Sequence, residues 1–463
     1  WSPRIGFNWD INGNKSLTVR GGTGVFTGRI PFVWFTNQPT NSGMLQYQLA
    51  ISSTYDSKGV PTNSAANAQL ARLPLNADPT QLLSNSSISD IFPKQNVVGG
   101  KIAGIDKNFK LPQVWRTSIG VDIKLPENMM LSLDGIYTKD INSIYFDNIN
   151  FASAPNVVNL GTSDPRGGIQ IPYYSSSARY ITSPYQNVVI MRNTTKGQGY
   201  TLAAKLDLPR IYGFSGSISY SKSWSEEVTN KSGSDPFSAW QYRLMTGDPN
   251  AQSLGLSAYN EPNRLVASIN YNIKYNKFET NASLFYTGNS GYAYSYYFNG
   301  DANGDGTTSN DLMYIPKNQG DYIWASQADA DAYFAFAKQD KYLSKHAGLM
   351  AQRNAAYEPW YSRFDLRIAQ DLNLKFGKDN NKLEFLADFI NVGNLINHNW
   401  GLNKSLASGA NSPLIVNGRD AATGMLKVSM RKVGTSYMTS TFQDPTSIAG
   451  LWGIQIGVRY SFN

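Results

Sequence analysis

The sequence predicts an all-β fold, a transmembrane antiparallel β-barrel, from three observations. The last segment, Trp452 to Phe462, has an apolar residue at every second position, with Gly, Gln, Arg or Ser between them. This alternation is typical of a strand with one apolar and one polar face. Similar segments recur along the chain, and short turns alternate with long polar excursions between them. Such a sorting of connections is typical of outer-membrane barrels.

The last segment also has the length that a membrane requires. At a tilt of about 40°, a strand of this length rises roughly 25 Å, which is the height of the apolar band of a transmembrane barrel. Aromatic residues stand at both of its ends, Trp452 and Phe462. An amphipathic strand of a soluble sandwich alternates in the same way, so this segment alone leaves both architectures open.

Two predicted strands open the chain. Apolar residues at 5, 7 and 9 alternate with polar ones, and N-G-N-K at 12–15 predicts a tight turn. Residues 17–27 form a second, glycine-rich strand. Residues 28–110 are rich in Asn, Ser, Thr and Pro and mostly unpatterned, which predicts the first long loop.

The middle of the chain repeats this arrangement three times. The turns are L-P-E-N, L-P-R-I-Y and N-I-K-Y-N-K, near residues 126, 210 and 275. The long loops are 150–184 and 228–260. The alternating segments that predict strands are 115–124, 129–149, 200–208, 214–224, 265–273 and 278–286, the last running on through Tyr292, Tyr294 and Tyr296 to Phe298.

The rest of the chain adds two strands before the last one, 364–376 and 383–389, joined by a turn near residue 379. The large insertion 299–360 precedes them. Its stretch from Ser326 to about Met350 is Ala-rich and predicts a helix with Ser326 as N-cap. The long loop 392–447 follows them.

The polar sides of these strands favour the barrel over the sandwich. Every odd position from Ser215 to Ser223 is serine, and Arg363, Asp365, Arg367 and Asp371 place both signs of charge on one side of one strand. The dry interior between two packed sheets does not accept such residues, whereas a polar lumen does.

Composition excludes several classes of protein. The chain has no Cys, which excludes a disulfide framework and zinc–thiolate sites. Its mean hydropathy is −0.36, and no apolar run approaches the roughly 18 residues that a membrane-spanning helix needs. The net charge of +8 is modest for 463 residues, and no Lys/Arg cluster predicts nucleic-acid binding.

The strand count predicts that this chain is one part of a larger barrel. We count about eleven strands, whereas single-chain bacterial barrels have an even number. Doubling gives about 22 strands, the size of plugged transporters. We therefore expect residues 1–463 to be the C-terminal part of one barrel domain, with long loops 28–110, 150–184, 228–260, 299–360 and 392–447. The first strands and a plug domain are expected upstream.

Several motifs resemble TonB-dependent outer-membrane receptors, in particular the Oar-like type of Bacteroidota. The supporting motifs are S-P-R-I-G-F-N-W-D (2–10), R-G-G-T-G-V-F-T-G-R-I-P-F-V-W (20–34), N-F-K-L-P-Q-V-W-R-T (108–117), D-A-N-G-D-G-T-T-S-N-D-L-M-Y-I-P (301–316), L-E-F-L-A-D-F-I-N-V-G-N-L-I-N (383–397) and the terminal G-V-R-Y-S-F-N. Many outer-membrane proteins end on the aromatic residue itself, whereas Asn463 follows Phe462 here, as in Bacteroidota members.

The resemblance implies an energised receptor in the bacterial outer membrane that binds an extracellular ligand and imports it. It implies extracellular loops, periplasmic turns and a periplasmic C-terminus. The implied partners are outer-membrane lipid and lipopolysaccharide, the upstream plug and strands, the TonB complex through the missing N-terminal part, and a ligand that the sequence does not identify. The alternative is a passive porin-like or structural barrel protein.

One motif predicts a metal site. Asp301, Asn303, Asp305 and Gly306 form D-x-N-x-D-G, the start of an EF-hand-type calcium loop, and Thr307 can offer its carbonyl. The acid that closes such a loop comes one residue early, at Asp311, and Leu312 stands in its place. We therefore expect a structural calcium ion, against the alternative of a solvated Asn/Asp/Gly turn.

The remaining candidates predict no catalysis. His346 and His398 are the only histidines: His346 falls in the predicted helical insertion and His398 after the penultimate strand, and neither lies on a predicted strand beside a Ser or carboxylate partner. We therefore expect no catalytic residues and no enzyme activity. The aromatic series Tyr292 to Phe298 is interpreted as an outer aromatic girdle rather than a ligand platform.

Overall fold

The structure is a computed structural model, and it describes most of the chain outside residues 41–99. It describes residues 1–40, 100–152, 156–160, 169–175, 179–182, 185–229, 233–376 and 379–462, together with positions 55, 56, 60, 62, 63, 68 and 78. Strands make up 51% of the structure, as an all-β fold requires. Among the described residues, no helix is long and apolar enough to cross a membrane.

Eleven strands form one antiparallel sheet, which we call the wall. Each strand pairs with the next in chain order, from the first to the last. The strands are β1 Arg4–Asp10, β2 Leu17–Thr27, β3 Gln113–Lys124, β4 Met130–Asn148, β5 Gln198–Ile211, β6 Phe214–Glu227, β7 Asn263–Tyr275, β8 Phe278–Asn289, β9 Tyr361–Phe376, β10 Asp379–Ile390 and β11 Gly453–Phe462. The wall is an open sheet that does not close into a barrel in this structure. The predicted strands are thereby confirmed.

The register carries one apolar face across the wall. Trp9 lies opposite Val19, Val19 opposite Val121, and Val121 opposite Leu133. The same row continues through Ala204 and Tyr220 to Leu265 on β7. Side chains on this face are half-buried or exposed, and the most exposed include Ile456 at 80% and Phe462 at 78%. Since an apolar face of this size suits hydrocarbon rather than water, it is the face that a membrane would cover.

The opposite, polar face of the wall is paired within itself. Arg20 on β2 reaches Asp122 on β3 at 3.0 Å and Asp134 on β4 at 2.7 Å. Ser217 and Ser268 share a hydrogen bond of 3.1 Å between β6 and β7. Side chains of neighbouring strands thus form ion pairs and hydroxyl hydrogen bonds with one another on this face, as expected for the lumen side of a barrel.

The charged ladder predicted on β9 lies on this polar face. Arg363 pairs with Asp365 at 2.7 Å, and Arg367 reaches Asp388 on β10 at 3.5 Å. Asp371, whose side chain is only 1% exposed, is held by Lys382 at 2.6 Å. The ladder is therefore a cross-strand ion-pair network rather than a row of isolated charges.

The long excursions do not behave as simple loops, because they fold together at one end of the wall. We call the described residues of these excursions, with strands Gly100–Ile105 and Tyr185–Thr194, the cap. The second of these strands pairs with the end of β4, Ser143–Asn148, and extends it beyond the wall. It also pairs in parallel with Gly100–Ile105.

The cap has two apolar cores of its own. The larger contains Tyr294, Tyr296, Phe298, Met313 and Tyr314, and it joins three excursions. Its other buried members are Leu160, Ile171, Ala302, Ile315, Tyr322, Tyr333, Phe336, Leu343, Ala351, Ala356, Ala410, Leu414, Leu426, Val428, Met430 and Met438. The smaller core packs Trp34, Ile144, Phe146, Phe151, Tyr174, Val189, Met191, Ala239 and Trp240.

Short elements build the cap. Its helices are α1 Phe32–Thr40, α2 Pro236–Gln241, α3 Gln327–Gln339, α4 Lys341–Lys345 and α5 Val392–Ile396. Its further strands are Asn156–Leu160, Ile169–Tyr173, Gly255–Leu256, Ala293–Tyr294, Ile323–Trp324, Ala356–Tyr357, Ser405–Leu406, Leu414–Arg419, Leu426–Met430, Lys432–Val433, Ser436–Tyr437 and Phe442–Gln443. Three 3₁₀ turns are Pro126–Asn128, at the opposite end of the wall, Gln319–Asp321 and Ile448–Gly450.

The interpretation of Tyr292 to Phe298 as an outer girdle is wrong. Strand β8 ends at Asn289, and the chain then enters the cap. Tyr294, Tyr296 and Phe298 are buried in the larger core, whereas Tyr292 is 76% exposed. The alternation continued past the end of the strand because these residues meet a protein core on one side.

The helix predicted from Ser326 begins where expected and ends earlier. The Ser326 side chain accepts the Asp329 N–H and caps α3. The chain then breaks at Asp340, whose carboxylate accepts the N–H groups of Tyr342 and Leu343 and caps α4. The helical segment is thus two helices that end at Lys345. The predicted loop 28–110 contains α1 and strand Gly100–Ile105, and much of it lies outside the described residues.

Candidate functional site

The predicted calcium residues lie in one tightly hydrogen-bonded loop, residues 301–311, which we call the Asp loop. Asp301 begins it: its Oδ1 accepts the Gly304 N–H at 2.6 Å, and its Oδ2 accepts the Gly306 N–H at 2.8 Å. Both glycines have positive φ, +81° and +88°. A Cβ at Gly304 would lie 2.0 Å from the Tyr174 carbonyl oxygen, so only glycine fits there.

Asn303 and Asp305 continue the same pattern. The Asn303 Oδ1 accepts the Asp305 N–H at 2.9 Å, and the Asp305 Oδ1 accepts the Thr307 N–H at 2.7 Å. The Asp305 Oδ2 accepts the side-chain amides of Asn310 at 2.8 Å and Asn303 at 3.2 Å. Side chains at alternate positions therefore point into the turn, as the spacing predicts.

Asp311 closes the Asp loop from its far end. Its Oδ2 accepts the N–H groups of Ala302 at 2.8 Å and Asn303 at 3.2 Å. The structure thus brings Asp301, Asn303, Asp305, Thr307 and Asp311 together, and all but Asp301 are buried. Among the described residues, however, no three His, Cys, Asp or Glu side chains converge in a metal-holding group. Calcium binding stays a prediction.

Burial raises the pKa values of the carboxyl groups in this loop. Burial raises the pKa of Asp301, and it raises the pKa of Asp305 to about 6. Burial, with repulsion from Asp305 and Asp301, raises the pKa of Asp311 well above its usual range. The ionised forms of these three groups are therefore disfavoured by lost hydration and by one another.

Sequence reasoning missed two polar neighbours of the Asp loop and one polar residue within it. The Arg419 Nη2 donates to the Ala302 carbonyl at 2.5 Å, and a Cβ at Gly306 would lie 2.5 Å from the Arg179 Nη1. Asn310 is the third. Asn310 directly precedes Asp311, so its amide side chain could have been recognised as a candidate from the sequence. The two arginines come from distant excursions, and the sequence gives no sign that they lie near the loop.

The Asp loop is also the junction of the cap. The Asn303 Nδ2 donates to the Gly247 carbonyl at 2.7 Å, and the Asn303 carbonyl accepts the Tyr174 N–H at 2.7 Å. Together with Arg419, these contacts tie the loop to the excursions 150–184, 228–260 and 392–447. One buried turn thereby fixes four excursions relative to one another.

A polar cavity of about 340 Å³ lies between the wall and the cap. Its wall side comes from polar-face residues at the cap ends of β3 to β6, including Arg116, Thr138, Thr201 and Ser223. Its cap side comes from the segment 257–260. The sequence did not single out this place, because its residues are dispersed over four strands and one loop.

Neither histidine lies in an arrangement typical of catalysis. His346 ends α4, stacks on Tyr342 with ring centroids 4.1 Å apart, and places Nδ1 2.8 Å from the Tyr342 carbonyl. The His398 carbonyl accepts the Asn394 side-chain amide at 2.9 Å in the turn after α5. Both have structural contacts, and the absence of enzyme activity stays a prediction.

Comparison with known proteins gives one family match and several similar structures, two of which are described here. A family model described as outer membrane beta barrel domain matches residues 1–422. The outer membrane transporter YddB from Escherichia coli is 12% identical with a TM-score of 0.40, and the siderophore receptor PirA from Acinetobacter baumannii is 9% identical with a TM-score of 0.37. These matches cover 100% and 85% of this chain but only 40% and 37% of those structures, so the chain spans less than half of their length. A comparison with curated proteins finds no match.

Proposed function

The chain belongs to the outer membrane beta barrel domain family, and we propose that it forms part of a TonB-dependent receptor of the Oar-like Bacteroidota type. In this proposal the protein binds a ligand outside the cell and imports it across the outer membrane. The import step rests on the sequence resemblance described above. No TonB-contacting residue is assigned to this chain.

The observation that carries the proposal is the folded cap. A passive pore needs an open cross-section, whereas here the excursions pack around buried aromatic residues such as Tyr296 and Tyr314. A rigid cap presents a binding surface of fixed shape, which lowers the entropy lost when a ligand binds. The polar cavity between wall and cap is the place where we expect part of that ligand to bind.

The orientation follows from the two kinds of connection. Short turns of bacterial barrels are periplasmic and long loops extracellular. We therefore propose that the cap is extracellular, that the turns near residues 12, 126 and 275 are periplasmic, and that the C-terminus is periplasmic. The apolar face of the wall would contact outer-membrane lipid and lipopolysaccharide.

Single-channel conductance of the whole protein in planar bilayers tests the proposal. A receptor keeps its lumen closed, so we expect no steady current from the protein alone. We also expect the purified protein to bind the periplasmic domain of TonB. A steady open-channel current together with no TonB binding would contradict the receptor.

The second candidate function is a passive porin-like or structural barrel. One observation favours the passive barrel: the serine row on β6 and the paired charges on β9 and β10 would also suit the lining of a water-filled channel. The same recording separates the two functions, because the passive pore predicts steady current without an energised partner.

A further inference from the structure

The Asp loop is the part of the cap whose chemistry the proposed receptor function does not use. Its first six residues place oxygen-bearing side chains at positions 1, 3 and 5 and glycine at position 6, the arrangement that calcium loops share. We propose that this loop binds one calcium ion, and that the ion fixes the excursions of the cap to one another. This inference does not depend on import or on TonB.

The carboxylates are held so that they keep capacity for a cation. Each oxygen of Asp301 accepts one backbone N–H, and the Asp305 Oδ1 accepts one more. A carboxylate oxygen has two lone pairs, so each of these atoms retains one. The N–H groups fix the side chains in place and thereby reduce the ordering that binding would require.

An independent observation is the orphaned amide oxygen of Asn310. This residue is 1% exposed, and its Oδ1 has no hydrogen-bond partner among the described residues, while its Nδ2 donates to the Asp305 Oδ2. A buried acceptor without a partner is unfavourable. In the structure the amide nitrogen faces Asp305. A half-turn of the amide would place the Asn310 oxygen there instead, and a cation bound by both this oxygen and the Asp305 carboxylate would then satisfy it.

Two carboxylates, two amide oxygens and a carbonyl form a hard-oxygen ligand set. Asp301, Asn303, Asp305 and Asn310 would supply the side-chain oxygens, and Thr307 its backbone carbonyl. Asp311 would act from outside the ligand set, because its Oδ2 already fixes the N–H groups of Ala302 and Asn303. This division explains why three converging carboxylates are not needed here.

The test is calcium titration of the whole protein in detergent, by isothermal calorimetry and thermal unfolding after removal of metal with EDTA. We expect saturable binding of one ion with a Kd of about 10⁻⁴ M or tighter, as in extracellular calcium modules. We expect a higher unfolding temperature in calcium and slower proteolysis within the cap. Magnesium should compete weakly, since it demands a smaller octahedral site.

Three variants sharpen the result. Asp305→Asn should weaken calcium binding at least tenfold, whereas Asp331→Asn, on the exposed side of α3, removes the same charge and should change nothing. Asn310→Asp should bind calcium more tightly but unfold more readily in EDTA, because it adds a fourth carboxylate. Equal unfolding temperatures of the unmodified protein in calcium and EDTA, with no saturable heat, would overturn the proposal whether or not the variants fold.

Discussion

Two stretches of alternating apolar residues, Trp452–Phe462 in the wall and Tyr292–Phe298 in the cap, lie in opposite environments. Ile456 in the first is 80% exposed on the apolar face of the sheet. Tyr296 in the second is fully buried and donates to the Asp340 carboxylate at 2.7 Å. Alternation therefore defines which side chains share a face, but it does not define whether that face meets lipid or protein.

The difference teaches how each region is stabilised. The wall is held by backbone pairing and by cross-strand charges on its polar face, and its apolar face needs a membrane. The cap is held by packed aromatic residues and buried hydrogen bonds, as in a water-soluble domain. Substitutions in each region should therefore respond to different surroundings.

Removing a core aromatic residue from the cap should have the largest effect. Tyr296→Ala deletes a fully buried ring and its hydrogen bond to Asp340, and we expect a loss of about 3–5 kcal/mol. Tyr292→Ala, four residues earlier and 76% exposed, should change stability by less than about 0.5 kcal/mol. Denaturant unfolding with limited proteolysis of the cap measures both, and equal effects would contradict the assignment of Tyr296 to a core.

Placing a charge on the apolar face of the wall should rank next. Ile456→Arg puts a cation on the proposed lipid side of β11, at a cost of roughly 2–4 kcal/mol near the membrane midplane. Gln455→Arg places the same charge opposite Asp388 on the polar face, where its effect should be small. Unfolding from phospholipid vesicles compares the two variants, and a larger loss for Gln455→Arg would mean that the faces are reversed.

Breaking an ion pair on the polar face should have a moderate effect. Lys382→Met leaves the Asp371 carboxylate, 1% exposed, without its cation, and we expect a loss of about 1–2 kcal/mol because Lys382 itself is partly solvated. Adding Asp371→Asn should restore most of that loss. Lys274→Met is the matched control: the Lys274 side chain, which pairs with Glu279, is 68% exposed, and the loss should be less than about 0.5 kcal/mol. Failure of the double variant to recover would argue against the pairing.

The smallest effect is expected at a helix cap. Ser326→Ala removes the side-chain acceptor for the Asp329 N–H at the start of α3 and should cost about 1 kcal/mol. Hydrogen exchange of the first amides of α3 measures this loss locally. The neighbouring exposed change Gln327→Ala should leave the same amides protected, and faster exchange in that variant would point to a general loss of helix stability instead.

The sequence predicted the wall well because each wall strand repeats a simple local pattern. Strand β3, Gln113–Lys124, follows from the alternation of residues 115–124 alone, and the turn after it follows from L-P-E-N. Turn chemistry and period two are local properties, so they need no knowledge of distant residues. The register that aligns Trp9 with Leu265 across seven strands then follows from keeping all apolar side chains on one face.

The cap was predicted poorly because its structure depends on contacts between distant segments. Val188 to Met191 form an apolar run, of which Val189 and Met191 are fully buried, and a run this short has no period to detect. Arg419 and Tyr174 reach the Asp loop from excursions more than 100 residues away, and nothing near them in the sequence indicates this. Only the motif of the Asp loop and the helix start at Ser326 were local enough to be recognised.

The central claim is that the apolar face of the wall meets lipid, and site-directed labelling tests it most directly. The chain has no Cys, so single substitutions Ile454→Cys, Ile456→Cys and Val458→Cys each introduce the only thiol. A lipid-resident thiol probe should label these three in membranes, while Gly453→Cys, Gln455→Cys and Gly457→Cys should be protected. The opposite phase, or no labelling at either set, would contradict the membrane wall and the account built on it.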